Sequence, residues 1–178
     1  MTCPFYIIVA CDENNGIGAK NSIPWELKGE MRHFKEVTSK TDDEAKQNIV
    51  IMGRSTWESL PEKFRPLPGR LNFVLSSNLQ YHAEGAEVFS SLEESLTAAQ
   101  SLVEAQKAEK VFVIGGQKVY EQAISHSNLA GIYLTKIKST FDCDAFFPTI
   151  PEKLVAKAKL LSTETEDGLN YEKWLMQN

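Results

Sequence analysis

Glu30 is a carboxylate in an apolar place. The segment from Glu26 to Ser39 reads as a helix, and on a 100° wheel Leu27, Met31, Phe34 and Thr38 form one stripe, with Val37 at its margin. Glu30 falls inside that sector, while Lys28, Gly29, Arg32, Lys35 and Glu36 take the other face. A desolvated carboxylate has a raised pKa unless a partner compensates, and burying it without a hydrogen bond is costly. A Glu at the edge of such a stripe can also snorkel to water or pair with a distant Arg. Ile23-Pro24-Trp25 tips the reading towards chemistry, because an indole donor then lies close to the acid. An acid whose pKa lies near 7 can both bind an amidine-like edge and deliver a proton.

Two strand-to-helix turns carry a second kind of chemistry. Val50-Ile51-Met52 runs through Gly53 into Arg54, Ser55 and Thr56, and Val113-Ile114 runs through Gly115-Gly116 into Gln117 and Lys118. N–H groups and the dipole at a helix start favour a phosphate, Arg54 and Lys118 add charge, and Ser76-Ser77 after a third strand adds hydroxyls. Each turn alone is equally well a simple tight turn. Neither G-x-G-x-x-G nor G-x-x-x-x-G-K-[ST] is present, so the signal is a dinucleotide cradle without the usual fingerprint.

Other chemistry-bearing side chains have plainer readings. Tyr120 and Phe34 are core residues by default. Arg70, in Pro68-Gly69-Arg70, is an unpaired loop cation or the anchor of an acidic ligand tail. His33 and His126 read as solvated, His82 sits in a turn, and no grouping suggests a metal.

The elements that must position these residues follow from periodicity. Strands are expected at Phe5–Cys11, Asn48–Met52, Leu71–Leu75, Glu87–Phe89, Lys110–Ile114 and Ile132–Ile137, with a hairpin from Lys159 to Met176 about Asp167-Gly168. Helices are expected at Glu26–Ser39, Ser55–Leu60, from Ser91 (capped by a Ser91/Glu94 box) to about Val103, and after Gly115-Gly116. Pro61 to Arg70 must be a loop. The pattern is a single-domain α/β fold spanning 1–178: an eight-stranded, mostly parallel mixed sheet with an antiparallel C-terminal edge, flanked by about four helices.

Bulk properties narrow the class. A net charge of −5 over 178 residues argues against nucleic acid, which is bound through basic faces. No apolar run reaches the ~20 residues that span a bilayer. Cys3, Cys11 and Cys143 are too scattered for a disulfide framework or a zinc site, and Met1-Thr2-Cys3-Pro4 does not begin a secretory signal. A cytoplasmic monomer is expected.

With these motifs in order, the chain resembles a dihydrofolate reductase. The likeness is carried by Ile8-Val9-Ala10, Asn15-Gly16-Ile17-Gly18, Ile23-Pro24-Trp25, Glu30 with Phe34, and Met52-Gly53-Arg54-Ser55-Thr56-Trp57-Glu58-Ser59. It continues through Pro66-Leu67-Pro68-Gly69-Arg70, Leu75-Ser76-Ser77, Val113-Ile114-Gly115-Gly116, Val119-Tyr120, Tyr133-Leu134-Thr135 and Asp144-Ala145-Phe146-Phe147-Pro148. The resemblance implies hydride transfer from NADPH to C6 of 7,8-dihydrofolate with protonation of N5. Glu30 would hold the pterin edge and assist proton delivery through water that Trp25 orders, with Thr135 in support. Ile8, Val9, Met31, Phe34, Phe64, Leu67, Ile114 and Tyr120 would line the folate site, and Arg70 would grip the glutamate α-carboxylate.

For NADPH the resemblance implies Ala10, Ile17, Gly18 and Lys20 over the nicotinamide. It places Arg54, Ser76 and Ser77 around the adenosine 2′-phosphate and Gly116 to Tyr120, including Gln117, Lys118 and Val119, at the pyrophosphate, with Gly53, Ser55, Thr56, Leu75, Ile114 and Gly115 also in the cofactor site. Gly115-Gly116 matches a cis peptide, and Asn14 to Ile23 a lid pinned by Asp144. Some positions depart from the pattern: Ile23 replaces a more usual Leu or Met, Phe64 a polar residue, and Ser77-Asn78 lacks a basic residue, leaving NADPH preference to Arg54. The alternatives are another NADPH reductase of the same fold, of pyrimidine reductase type, and a folate-binding protein without turnover.

Overall fold

The β-branched runs of the chain form the middle of one sheet. A computed structural model describes residues 3–78, 80–166 and 168–177. In chain order it contains β1 (Phe5–Cys11), β2 (Gly16–Gly18), α1 (Lys28–Ser39), β3 (Gln47–Gly53), α2 (Arg54–Ser59), β4 (Arg70–Leu75), β5 (Glu87–Phe89), α3 (Leu92–Glu104) and β6 (Ala108–Gly115). It ends with α4 (Gln117–Ala123), β7 (Leu129–Ile137), β8 (Ala145–Phe146), α5 (Glu152–Lys157), β9 (Ala158–Glu166) and β10 (Leu169–Met176). Eight strands join in the order β5-β4-β3-β6-β1-β7-β10-β9. The first six run parallel, β10 runs antiparallel to β7, and β9 runs antiparallel to β10. Central parallel strands are covered on both faces, which is why β1, β3 and β6 read as unbroken apolar runs rather than alternating ones.

The helices divide between the faces. Ile7, Val9, Ile51 and Val113 pack with Leu92, Leu96, Val119 and Tyr120 of α3 and α4. On the other face Ile8, Val50, Met52 and Val74 pack with Trp57 of α2, and with Phe34 and Val37 of α1 at the margin.

Three expectations need correction. The described residues hold five α-helices where about four are expected: α5 is one short turn-and-a-half after Pro151, whose adjacent Leu154 and Val155 give too little periodicity to read. Helix α1 begins at Lys28, two residues later than expected, behind a Leu27 whose side chain makes no cap hydrogen bond. The short strands β2 and β8 pair only with each other; at three and two residues they carry no pattern. The Ser91 cap is present, since its Oγ accepts the Glu94 amide at 3.2 Å. The Glu94 carboxylate, however, reaches back one residue further, accepting the N–H and O–H of Ser90 at 2.8 and 2.7 Å. Gly168 has a positive φ of 77°, as a hairpin turn needs, while Asp167 lies outside the described residues.

Candidate active site

Helix α1 is tied to the sheet near both ends. Near its start, Gly29 packs against Leu169 and Tyr171 of β10, and His33 stacks on Tyr171 at 4.2 Å between centroids. At its end Asn48 of β3 donates to the carbonyls of Thr38 and Lys40 at 3.0 and 2.9 Å. Of the apolar stripe Thr38 alone is fully buried, and Met31, which the resemblance puts at the folate site, is 59% exposed. Phe34 and Val37 pack at the margin of the sheet core, while the exposed Met31 leaves apolar surface for something else to cover.

Glu30 is half-buried on α1, and burial pushes its pKa up to about 7. Its charge is felt by the fully buried phenol of Tyr120, whose pKa is also raised, mainly by desolvation. The Tyr120 hydroxyl donates to the Ile8 carbonyl at 2.8 Å, which fixes the ring beneath the β1 terminus. Trp25 is only 7% exposed, lies 5.3 Å from Phe141 between ring centroids, and its buried Nε1–H has no partner among the described residues. An unsatisfied buried donor costs about 1–3 kcal/mol, which a ligand or ordered water recovers. Thr135 is buried on β7 opposite Ala10 of β1.

Arg70, at the start of β4, is 7% exposed, and burial lowers its pKa. Its Nε donates to the Pro68 carbonyl at 3.1 Å and its Nη1 to Thr38 Oγ at 2.9 Å, and its guanidinium lies 5.9 Å from the Phe34 ring centroid. No carboxylate pairs with it in the described ion pairs. A buried guanidinium held by neutral oxygens has donors left for an anion.

The phosphate-facing turns lie side by side. Gly53 ends β3 opposite Leu75 of β4, and Met52 pairs with Gly115 of β6, so Gly53, Ser76-Ser77 and Gly115-Gly116 share one rim. The Gly115-Gly116 peptide is cis, as the resemblance implies; so is Arg65-Pro66, which the sequence does not signal. Gly115 has a φ of +126°, and a Cβ on Gly116 would sit 3.2 Å from Thr56 Oγ, so the two turns touch without room for side chains. Arg54 is exposed on this rim, paired with Glu58 at 2.7 Å and lying 4.6 Å from the centre of the Tyr81 ring. Ser55, Ser77 and Lys118 are exposed, and Thr56 and Gln117 half-buried.

The folate-side residues Ile8, Ile114, Phe34 and Leu67 belong to one face of the sheet, and Phe64 stands 46% exposed. The Val9 side chain turns instead into the opposite core, as alternation along β1 requires, leaving only its main chain on this side. Val119 and Leu75 likewise pack on that opposite face. The segment expected to form a lid is tied to Asp144: its Oδ2 accepts the Lys20 amide at 2.9 Å and its amide donates to the Gly18 carbonyl at 2.9 Å, with Ala10 and Ile17 half-buried. His126 is not solvated as expected: its Nε2 meets Glu93 at 2.8 Å and its Nδ1 accepts the Asn128 amide at 3.1 Å. The residue that sequence reasoning passes over is Asp12, which is buried at the base of the lid yet looks like an ordinary turn residue beside Glu13-Asn14-Asn15-Gly16.

Comparison with known proteins gives a consistent result. A family model described as "Dihydrofolate reductase" matches residues 4–175. The dihydrofolate reductase of Drosophila melanogaster is 41% identical over 174 residues, covering 94% of each chain. That of Heliothis virescens is 43% identical over 151 residues, with 83% and 80% of the two chains covered. That of Rattus norvegicus is 38% identical over 181 residues, with 96% and 95% covered.

Proposed function

The chain belongs to the dihydrofolate reductase family and reduces dihydrofolate with a nicotinamide cofactor, and on that premise we propose that Glu30 is its proton-delivering acid and NADPH its hydride source. The observation that carries the proposal is the Glu30 carboxylate itself, half-buried on α1 with its pKa pushed up to about 7 by desolvation. A carboxyl with that pKa is half protonated near neutrality, so it can both bind the amino and N3 edge of a pterin and supply a proton. The proton passes to N5 through a water for which the unpartnered Trp25 Nε1–H offers an anchor. Thr135, beside Ala10, supports the acid and the pterin amino group. Arg70 takes the α-carboxylate of the glutamate tail, and Phe34, Leu67 and Met31 wall the aromatic middle of the substrate.

The residues present fit NADPH. The joined glycine turns leave space for a pyrophosphate, and Arg54, Ser76 and Ser77 suit the adenosine 2′-phosphate. Bound there, NADPH supplies the hydride that C6 of the substrate accepts. Ala10, Ile17, Gly18 and Lys20 would cover its nicotinamide end and exclude water. The reading includes action as a cytoplasmic monomer on a small molecule, without nucleic-acid or membrane partners. The net charge of −5 and three free cysteines support it, and no helix among the described residues is long and apolar enough to cross a membrane.

Loss of NADPH absorbance on adding dihydrofolate is the direct test. Turnover that requires dihydrofolate, and runs far better with NADPH than NADH, is expected. Absence of dihydrofolate-dependent oxidation would remove the assignment.

A further inference from the structure

Asp12 follows β1 directly and is 2% exposed. Its Oδ1 accepts the backbone amides of Asn14 at 2.9 Å and Gly16 at 2.7 Å, and its Oδ2 accepts that of Phe141 at 2.9 Å. Cys143 Sγ lies 4.0 Å from the same Oδ2. A buried carboxylate is tolerated when charge-assisted hydrogen bonds of this kind replace its water. The three amides belong to two segments more than 120 residues apart: two lie at the root of the Asn14–Ile23 lid, and the third opens the segment on which that lid lies.

Backbone bonds also tie the two segments, through the β2–β8 pairing, the Asp144 amide on the Gly18 carbonyl and two further contacts. Glu13 donates to the Ser139 carbonyl at 3.1 Å, and Phe147 to the Asn15 carbonyl at 2.8 Å. The Lys20–Asp144 bond is exposed, where water competes for both partners. Around Asp12 there is no slack: a Cβ on Gly16 would come within 2.5 Å of Cys143 Sγ and 2.9 Å of Asp12 Oδ1. The carboxylate is thus the buried pin of a joint whose exposed pin is Asp144.

We propose that Asp12 is a positioning residue for hydride transfer: by accepting from both segments at once it holds the lid in register over the cofactor site. This rests on the reading of residues 14–23 as the lid of a reductase. Asp12 touches neither ligand; it acts through the backbone of Asn14 and Gly16. The geometry demands a carboxylate, because both oxygens face N–H groups. Asparagine has the same shape but one acceptor, and in either orientation its amide NH2 opposes a backbone N–H.

The test is Asp12→Asn in the full chain, read by amide hydrogen exchange on the ligand-free protein, by stopped-flow hydride transfer, by folate titration and by melting temperature. Exchange at Asn14 and Gly16, or at Phe141, should quicken about tenfold or more as a charge-assisted bond is lost. Hydride transfer should slow about 10- to 100-fold, the scale on which small misplacements act. Folate affinity without cofactor should hold within about twofold, because α1 and Arg70 form that wall independently. Wild-type hydride transfer, or unchanged exchange at all three amides, would overturn the proposal. So would parallel losses of folate affinity, rate and melting temperature, which mark a carboxylate needed only for folding. A wild-type protein that fails to turn over dihydrofolate would remove the reductase reading instead, and the exchange measurement would still report on the joint.

Discussion

At the N-terminal end of β6, Glu109 accepts the backbone amides of Asp42 and Asp43 and the ammonium of Lys110, with contacts of 2.9 to 3.1 Å. These partners, with the Lys110 bond foremost, hold its pKa down at about 2. Across the molecule, Glu30 has no such company, and burial lifts its pKa to about 7. One fold has placed two glutamates near its sheet and treated them oppositely. The difference separates a carboxylate that ties a loop to a strand from one kept in reserve. Arg70 and Trp25 repeat the second pattern, with buried donors left for a ligand. Charge satisfaction is complete where only the fold depends on it, and withheld where chemistry does.

The comparison can be broken by substitution. The largest effect expected is on the reaction: Glu30→Gln should slow hydride transfer at pH 7 by about 10²- to 10⁴-fold, with partial recovery at low pH, where the substrate is itself protonated. A stopped-flow pH profile that stays flat and unchanged would contradict the role. The wild-type rate should fall as pH rises through about 7, as the carboxyl proton is lost.

Next in size is the opposite effect of the same substitution on stability. A folded-state pKa above the ordinary 4.5 means that the folded chain holds the proton longer, so Glu30 costs nothing below that pH and its full penalty above about 7. Removing the charge should stabilise the ligand-free protein at pH 8 by about 3 kcal/mol and leave it unchanged at pH 4. Urea melts at the two pH values measure this, and equal shifts would show that the acid is partnered after all.

Arg70→Leu should weaken folate binding by about 2–3 kcal/mol, the worth of charge-assisted hydrogen bonds to a carboxylate, while NADPH affinity stays put. Equal losses for both ligands in fluorescence titrations would point to misfolding. The smallest effect belongs to Glu109→Gln, which should cost about 1 kcal/mol at pH 7 without altering turnover. Because the folded pKa of Glu109 is depressed, its contribution is present above about 4.5 and fades as pH falls towards 2, so wild type and variant should converge in acid melts.

Much of this was legible in the residues. The order of Phe5–Cys11, the Asn48–Met52 run and Lys110–Ile114 announced a parallel sheet, because strands buried on both faces must be apolar at every position. The C-terminal hairpin announced its antiparallel edge. Glu30 announced itself by being charged where its helix is apolar, and Trp25, Arg70 and the paired glycines placed the chain in its family. Periodicity says which face is apolar, and only the sheet beneath says how far that face is covered, which for Met31 leaves 59% exposed. It gave no hint of β2 and β8, whose five residues are strands only because they meet.

The sequence by itself determined the strands, the odd acid and the family, since each is written in local pattern or in an ordered set of motifs. The tertiary structure alone decided that Glu30 has no ion-pair partner among the described residues and Glu109 has three hydrogen-bonding neighbours, that Arg70 leans on Thr38, and that Asp12 clasps Phe141 from 129 residues away. Local pattern records what a residue prefers. Which distant backbone amide fills a carboxylate's lone pairs depends on chain closure over the whole sheet, and that is settled only when the long-range contacts form together.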